Sequence, residues 1–301
     1  MRYTIGIDNV KLQIDLLSAE KQNQAMNGIL YALTSTYNTL HVNYGTPSKG
    51  IITNTVFTAG KKILEIKSGI YLTGSKKDKK RTTIYYISIE LAGMKQYTPY
   101  DDVATNCLVR MCAFLNSNSY PFTFTGIDVC VDMQCSMFRT LVFCNRKASG
   151  VKYYTIDEKQ PYSRTRYIEK YNRTHKHVMR RSYVYDKRLD TSLEHITRFE
   201  MKLQARYFNK NRYDDNTIKA NLDKYHILHF PTAKERIDSI ELYRTNEGTI
   251  RRRDLHKLGL ERFRIYPDTK RINDFLFSLY EVYEEQLDLP AITQPSDNLF
   301  D

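Results

Sequence analysis

The stretch that decides the predicted fold is Arg181-Ser-Tyr-Val-Tyr-Asp-Lys-Arg188, followed after a short polar segment by Ile196-Thr-Arg-Phe-Glu-Met-Lys-Leu203. Both segments alternate apolar and polar residues and are rich in aromatic and β-branched side chains. This pattern predicts two half-buried strands, with the polar residues between them as their connection. The chain therefore contains at least one pair of neighbouring strands.

Each of these strands carries chemically active side chains on one face, because side chains alternate with a period of two. The face of the first strand holds Tyr183, Tyr185 and Lys187. The face of the second strand holds Arg198, Glu200 and Lys202. If the faces coincide, phenols, cations and a carboxylate meet on one sheet surface. A tyrosine hydroxyl has an ordinary pKa of about 10 and needs a nearby cation or metal to favour the phenolate. A carboxylate can hold a metal, and Lys or Arg can neutralise a phosphate, so the grouping suits phosphodiester chemistry.

The same residues allow a purely structural interpretation. Tyr185 is one of 24 tyrosines in the chain. In that interpretation Glu200 simply forms an ion pair with Arg198, and the strands carry no chemistry. The spacing of the residues alone does not separate the two interpretations.

Composition indicates a globular protein with an anionic partner. The 301 residues are 41% hydrophobic, which is enough for one large or two smaller domains. Formal net charge is +12, and since residues 272–301 hold seven acids and no Lys or Arg, residues 1–271 carry +19. A basic body with an acidic end indicates a polyanion partner, most simply nucleic acid.

The cysteines and the hydropathy pattern indicate the compartment. The five cysteines contain no C-x-x-C pair. The sequence has no signal peptide and no apolar run long enough to span a bilayer. These features predict a cytoplasmic protein with free thiols and no membrane partner.

Helical periodicity and capping residues predict the helices. Ser18 stands where an N-cap is expected, and apolar residues recur at helical spacing from Met26 onwards. Pro99 is predicted to open an amphipathic helix that ends near Leu115. Further helices are predicted at Ser136–Cys144, at Thr217–Leu228, and at Ala233–Tyr243, Arg252–Leu258 and Lys270–Leu287.

The two halves of the sequence repeat one order of elements. Gly6-Ile7-Asp8 matches Gly126-Ile127-Asp128, and Ile87-Ser-Ile-Glu90 resembles Thr197-Arg-Phe-Glu200. We therefore predict an α+β fold: an antiparallel sheet built from two pseudo-two-fold related β-α-β-β-β-α halves, plus a helical C-terminal region. The predicted parts are residues 1–118, the first half; 119–230, the second half with the catalytic site; 231–289, the helical region; and 290–301, a disordered acidic tail.

Cations and aromatic residues are interleaved between Pro161 and Asp190, where nine Lys and Arg oppose three acids and accompany five tyrosines. Strands with this pattern can hold a phosphate backbone and stack unpaired bases, although a solvated basic face is the alternative. An arginine cluster in the helical region could contact a duplex or only pack behind the sheet. The predicted DNA-binding residues are Arg164, Arg166, Lys170, Arg173, Arg180, Arg181, Arg188, Arg251, Arg252 and Arg253.

Three segments in this order resemble the rolling-circle replication initiators of small plasmids, the Rep_trans or replication initiation factor family. They are Phe124-Thr-Gly-Ile-Asp-Val-Cys-Val-Asp132, Tyr183-Val-Tyr-Asp-Lys-Arg188 and Thr197-Arg-Phe-Glu-Met-Lys-Leu203. Filamentous-phage initiators are similar more distantly. The resemblance covers roughly residues 82–207 and implies a strand-specific, metal-dependent DNA nickase related to the HUH endonucleases. Its expected partners are single-stranded or supercoiled origin DNA and a host or plasmid helicase, and a homodimer is left open.

The resemblance also implies roles for individual residues. Tyr185 would attack the scissile phosphate, leaving a 5′-phosphotyrosine and a free 3′-hydroxyl that primes synthesis. Lys187 and Arg198 are the further catalytic candidates. The acidic positions of the family's motifs fall on Asp128, Asp132 and Glu200.

Hard oxygen ligands favour Mg²⁺ or Mn²⁺ as the cofactor. Asp128 and Glu200 are the first choices as metal ligands, with Glu90 as a third and Asp132 as a secondary candidate. Tyr183 remains an alternative nucleophile or helper. Gly126 stands where plasmid members often carry Arg, and Tyr71 lacks the Asp-Lys that follows Tyr185, so Tyr71 is not assigned as a second nucleophile.

Other functions remain open at this point. A conjugative or mobilisation relaxase would share the nicking and religation chemistry. A non-catalytic DNA-binding regulator on the same fold would bind DNA without forming a covalent adduct, and an RNA-binding protein would stack bases on its tyrosines without needing a metal. A dehydrogenase or kinase has no support, since the chain has neither a G-x-G-x-x-G nor a Walker motif.

Overall fold

The computed structural model describes residues 3–35, 39–58, 61–74, 81–92, 103–144, 165–167, 180–188, 195–208, 213–214, 216–235, 256–257 and 259–287. The fold is mixed α/β, with a large antiparallel sheet and few helices in this described part. The strands are β1 Tyr3–Leu16, β2 Leu40–Asn43, β3 Ile52–Thr58, β4 Lys61–Thr73, β5 Thr82–Ala92, β6 Phe122–Met133, β7 Thr140–Cys144, β8 Thr165–Tyr167, β9 Arg180–Arg188, β10 His195–Leu203, β11 Tyr225–His229 and β12 Arg264–Ile265.

The helices are α1 Ala19–Thr34, α2 Val103–Ser117, α3 Ala205–Phe208, α4 Thr217–Leu222 and α5 Lys270–Glu281. Nine strands are hydrogen-bonded in the order β2-β3-β4-β5-β1-β6-β10-β9-β8, and three more in the order β12-β11-β7. The chain divides into two compact units. The 8–127 unit contains residues 8–127 and 274–301, and the 128–273 unit contains residues 1–7 and 128–273.

The 8–127 unit builds its core on one face of its strands. β2, β3, β4, β5 and β1 pair antiparallel, with Leu12 opposite Ile89 and Ile14 opposite Ile87. These four side chains are fully buried, together with Leu64 and Ile66 of β4. Full burial of an aliphatic side chain contributes about 1.5–3 kcal/mol, so this face is the main source of the unit's stability.

Two helices contact the strands of this unit. Ser18 caps α1, since its hydroxyl accepts a hydrogen bond from the Lys21 amide at 3.2 Å. α1 contacts α2, and both contact β5. A methyl group added to Gly28 would lie 2.0 Å from the Phe114 ring, so only glycine allows the two helices to approach this closely.

The 128–273 unit also has a buried and a polar strand face. On β10, Phe199, Met201 and Leu203 are fully buried. Behind them lies the small sheet of β7, β11 and β12, whose Tyr225 ring is 5.1 Å from that of Phe199. Ser182 of β9 donates a hydrogen bond to the buried Tyr225 hydroxyl at 2.9 Å. These contacts fix the sheet from behind and leave the alternate residues of β9 and β10 on the polar face.

Several sequence predictions are confirmed. The two strands that define the predicted fold are β9 and β10, and they pair antiparallel. Ser18, which stands where an N-cap is expected, is the N-cap of α1. The large antiparallel sheet is present as well.

Among the helices of the described ranges, none is long and apolar enough to cross a membrane.

Other predictions are wrong. The helix predicted at Ser136–Cys144 is a 3-10 turn, Met137–Arg139, followed by β7, because the β-branched and aromatic residues after Arg139 pair with β11. The helix predicted at Thr217–Leu228 ends at Leu222 for the same reason, since the following residues form β11. The C-terminal helix ends at Glu281, six residues earlier than predicted, and a 3-10 turn follows at Glu284–Gln286.

The predicted duplication stays a prediction. The first half runs β1-α1-β2-β3-β4-β5-α2, whereas β6 is followed by a 3-10 turn and by β7, which pairs in the small sheet. The tail 290–301 lies outside the described residues, as do most of the helices predicted at Ala233–Tyr243 and Arg252–Leu258.

Candidate active site

Seven polar side chains from three strands meet on the polar face of the 128–273 unit. We name this group the Glu200 cluster. Its members are Asp128 and Asp132 of β6, Tyr183 and Tyr185 of β9, and Arg198, Glu200 and Lys202 of β10. They come together because each set alternates along its own strand, so that all seven point to one side of the sheet.

Glu200 is the centre of the cluster and is 2% exposed. Tyr183 lies directly opposite it in the β9–β10 register, and Tyr185 lies opposite Arg198, one diagonal step away. The Tyr183 hydroxyl donates a hydrogen bond to Glu200 Oε1, and the Tyr185 hydroxyl donates one to Oε2 at 3.1 Å. Both oxygens of one carboxylate thus accept from phenols, which places Glu200 where it can take a phenolic proton.

Lys202 links Glu200 to Asp128. Its Nζ lies 2.7 Å from Asp128 Oδ2 and 3.1 Å from Glu200 Oε1. Burial alone would lower the pKa of Lys202, but the negative charges of Asp128 and Glu200 outweigh it and raise that pKa above the ordinary value. An ammonium ion therefore neutralises part of the charge of two carboxylates that come from different strands.

The rings of Tyr183 and Tyr185 lie 5.6 Å apart, and several effects act on the Tyr183 phenol. Burial, followed by the charge and hydrogen bond of Glu200, raises the pKa of the Tyr183 phenol above its ordinary value. The Lys202 ammonium also lies 5.5 Å from the centre of the Tyr183 ring. Tyr183 is therefore held as a neutral hydrogen-bond donor in this arrangement.

Arg198 forms a buried ion pair with Asp132. The Arg198 Nε and Nη2 atoms donate to the two Asp132 oxygens at 2.6 and 2.7 Å, and the side chains are only 1% and 3% exposed. Burial would lower the pKa of Arg198, but the hydrogen bonds and charge of Asp132 raise it. Arg198 thus pairs with Asp132 and not with Glu200, contrary to the structural interpretation of the sequence. The pair joins β6 to β10 beneath the two phenols, which suits a positioning role.

The remaining predicted site residues are distributed as follows. Lys187 is half-buried on β9, on the same face as Tyr185. Glu90 belongs to the 8–127 unit, where it accepts a hydrogen bond from Asn9 at 3.1 Å and pairs with Lys11 at 2.7 Å. Its role as a third metal ligand stays a prediction.

The predicted DNA-binding side chains lie outside the described part of the chain. Arg166 belongs to β8, and Arg180, Arg181 and Arg188 belong to β9, but only their backbone positions are described. The other predicted members are Arg164, Lys170, Arg173, Arg251, Arg252 and Arg253, and they lie outside the described ranges altogether.

The donor set of the cluster suits a hard divalent cation. No group of three or more His, Cys, Asp or Glu side chains comes close enough to hold a metal among the residues that the structure describes. However, Mg²⁺ and Mn²⁺ sites that act on phosphates commonly use one or two carboxylates and fill the other positions with water and phosphate oxygens. Asp128 and Glu200 already enclose a positive charge, so their oxygens fit such an ion if Lys202 moves aside.

Sequence reasoning missed the part that Lys202 takes in the cluster. The alternation Arg198-Phe-Glu-Met-Lys202 put Lys202 on the face of Glu200, but its contact with Asp128 depends on which strand lies beside β10. Cys130 lies between Asp128 and Asp132 and is fully buried, with its thiol directed at the Gly6 carbonyl at 3.6 Å. It is a packing residue.

Comparison with known proteins gives little further information. No protein-family model and no curated protein matches the sequence. Among solved structures, the chain is similar to that of a rolling circle replication initiator protein from Geobacillus stearothermophilus. The two are 12% identical, the TM-score is 0.38, and the match covers 76% of this chain and 87% of that chain.

Proposed function

We propose that this protein is a rolling-circle replication initiator that nicks and religates one DNA strand through a 5′-phosphotyrosine on Tyr185. The observation that carries the proposal is the hydrogen bond from the Tyr185 hydroxyl to Glu200 Oε2 at 3.1 Å, on a sheet face shared with Lys202 and Asp128. A phenol and a carboxylate able to take its proton are two of the groups that a tyrosine nickase needs. Lys187, on the strand face of Tyr185, is the cation proposed to neutralise the phosphate.

The nicking step follows from these positions. The Tyr185 oxygen attacks the phosphorus of the scissile phosphodiester while its proton passes to Glu200, which the phenol already contacts. The bond from phosphorus to the 3′-oxygen breaks, and that oxygen takes a proton from water and becomes the free 3′-hydroxyl. Religation is the reverse, since a 3′-hydroxyl attacks the phosphotyrosine and the phenol recovers its proton.

The neighbouring residues take supporting parts. Tyr183 donates to Glu200 Oε1 and so fixes the orientation of the carboxylate. Its raised pKa favours the neutral phenol, which suits a hydrogen-bond donor to Glu200. Lys187, on the face of Tyr185, is the proposed contact to the scissile phosphate, while the Arg198–Asp132 pair positions β10 against β6.

We further propose that Asp128 and Glu200 hold Mg²⁺ or Mn²⁺ when the enzyme acts. Such an ion would polarise a phosphoryl oxygen and stabilise the charge of the leaving 3′-oxygen. Glu200 would help to hold the ion, and its Oε2 atom, which accepts from Tyr185, would take the phenolic proton.

The proposed substrate is single-stranded or supercoiled origin DNA, with a helicase as the partner that opens the duplex. The formal charge of +19 on residues 1–271 supports a polyanionic substrate. A relaxase would use the same chemistry, and the two differ in the DNA they recognise.

A covalent-trapping assay tests the proposal. The protein is incubated with Mn²⁺ and a pool of labelled single-stranded oligonucleotides of randomised sequence, and the products are separated under denaturing conditions. We expect a labelled protein band that resists denaturation, with the label on the DNA that lies 3′ of the nick. The band should be lost in Tyr185→Phe and kept in Tyr183→Phe. Retention of DNA on a native gel without any covalent band, at every metal concentration, would favour the non-catalytic regulator.

A further inference from the structure

We infer that Lys202 is a built-in counter-ion that occupies the metal position of the Glu200 cluster, so that a divalent cation binds only by displacing the Lys202 ammonium. The inference rests on the proposed function for the identity of the ion, but its physical basis is the geometry of three side chains. It assigns Lys202 the role of setting the metal affinity of the site.

The ammonium lies between the two carboxylates. Lys202 Nζ is 2.7 Å from Asp128 Oδ2 and 3.1 Å from Glu200 Oε1, so the two oxygens are no more than 5.8 Å apart. Two oxygens on a single Mg²⁺ lie within about 4.2 Å of each other, because each bond is about 2.1 Å long. A small inward movement of the carboxylates is therefore enough once the ammonium has left.

The ammonium and a divalent cation cannot share this position. The side chains of Asp128 and Glu200 are 9% and 3% exposed, and charges in such surroundings are weakly screened by water. Two like charges within a few ångströms of each other repel strongly there. Binding of the ion must therefore break both contacts of Lys202.

The Lys202 side chain can move, and its charge stabilises the metal-free protein. Its side chain is 28% exposed, and a lysine stem is flexible, so the ammonium can swing toward solvent without disturbing β10. Its ammonium offsets part of the negative charge of two nearly buried carboxylates, whose removal from water is costly. The lysine stabilises the metal-free protein and weakens metal binding at the same time.

The test measures Mn²⁺ affinity directly, by electron paramagnetic resonance of the free ion during titration, without DNA. Lys202→Met removes the charge and keeps most of the side chain's length. We expect Lys202→Met to bind Mn²⁺ at least about tenfold more tightly than the wild type. Lys202→Arg keeps the charge and should bind no more tightly than the wild type.

Two further variants locate the effect. Lys219→Met removes a lysine that pairs with Asp223 at 2.6 Å on the exposed surface of α4, and it should leave Mn²⁺ affinity unchanged. Adding Asp128→Asn to Lys202→Met should abolish the gain. Thermal unfolding of each variant checks that it is folded, and Lys202→Gln, which also removes the charge, replaces Lys202→Met if the latter does not fold.

Affinity of the charge-removing variant within threefold of the wild type would overturn the inference. So would a gain that persists with Asp128→Asn, because the ion would then bind elsewhere. The outcome is separable from that of the trapping assay. A gain in Mn²⁺ affinity without any covalent adduct would uphold the role of Lys202 and contradict the proposed nicking, whereas an adduct with unchanged affinity would do the reverse.

Discussion

The polar faces of the two units invite comparison, since each carries a glutamate in a similar strand sequence. Glu200 stands in Thr197-Arg-Phe-Glu200 and Glu90 in Ile87-Ser-Ile-Glu90. Opposite Glu200 the register places Tyr183, whereas opposite Glu90 it places Lys11 on one side and Glu65 on the other. Glu200 is nearly buried and accepts from two phenols. The Glu90 side chain is 34% exposed and bonds to Lys11 and Asn9.

The tyrosines differ in the same way. Tyr185 of the 128–273 unit donates to Glu200, whose other carboxylate oxygen contacts Lys202. Tyr71 of the 8–127 unit donates to Asp15 at 2.8 Å and lies beside the Tyr86 ring. Two strands with similar sequences can therefore place their glutamates in different chemical surroundings. The side chains on the neighbouring strands decide whether a glutamate contacts phenols in a buried cluster or forms ion pairs on an exposed surface.

The largest expected difference between the two faces is in covalent chemistry. Tyr185→Phe should reduce adduct formation by at least about a thousandfold, because no other group replaces an absent nucleophile. Adduct formation by Tyr71→Phe should stay within about twofold of that by the wild type. The two variants lose the same hydroxyl group, so equal losses in the trapping assay would show that the faces do not differ in this respect.

Removing the carboxylate that accepts the phenolic proton should have the next largest effect. Glu200→Gln is expected to slow single-turnover nicking by about 10²–10⁴-fold, the usual contribution of a general base. Glu65→Gln, on the other polar face, is the matched control and should change the rate by less than about threefold. A nicking rate for Glu200→Gln close to that of the wild type would remove Glu200 from the mechanism.

Substitutions on the two faces should also differ in how much they lower the free energy of unfolding. Asp132→Asn leaves Arg198 buried without its ionic partner, which is expected to lower the free energy of unfolding by about 3–5 kcal/mol. Glu65→Gln breaks pairs with the well-exposed Lys62 and Lys67 and should cost less than about 1 kcal/mol. Urea denaturation at pH 7 measures both. A cost below 1 kcal/mol for Asp132→Asn would mean that the buried pair is not needed to hold β6 against β10.

The smallest expected effect is on how the free energy of unfolding changes with pH in alkaline solution. Burial and the hydrogen bond to Asp15 raise the pKa of Tyr71 to about 12, compared with about 10 in an unfolded chain. The folded state therefore keeps a proton that the unfolded state loses. The contribution of Tyr71 to stability is complete below pH 10 and declines as the pH rises toward 12.

Urea midpoints at pH 9 and pH 11 check this prediction. The wild type should lose more stability between these values than Tyr71→Phe does. Tyr44→Phe, which changes a ring that is 72% exposed, should follow the wild type. Parallel behaviour of the wild type and Tyr71→Phe would show that the contact with Asp15 does not persist in solution.

The two strands β9 and β10 of the 128–273 unit were predictable from local patterns. Alternation along residues 180–188 and 195–203 is strong enough to fix both strands and the faces of Tyr185 and Glu200. The helix predicted at Ser136–Cys144 failed because Thr140–Cys144 is short and its strand state depends on β11, which lies more than 80 residues later in the sequence. Local propensity carries no information about that partner.

The pairings within the site were harder to predict than the strands. Arg198 has Glu200 two residues away on the same face, yet it pairs with Asp132, 66 residues earlier in the chain. Lys202 likewise contacts Asp128, 74 residues earlier. Both ion pairs depend on β6 lying next to β10. The residue spacing within one strand does not show which strand lies beside it.

Mass spectrometry of the trapped adduct tests the central claim most directly. After nuclease treatment and proteolysis of the protein–oligonucleotide complex formed with Mn²⁺, the residual nucleotide should be found on Tyr185, joined through its 5′-phosphate. A nucleotide on Tyr183, on Tyr71 or on any residue outside the Glu200 cluster would contradict the account, and so would the absence of a modified peptide from a complex that nicks DNA.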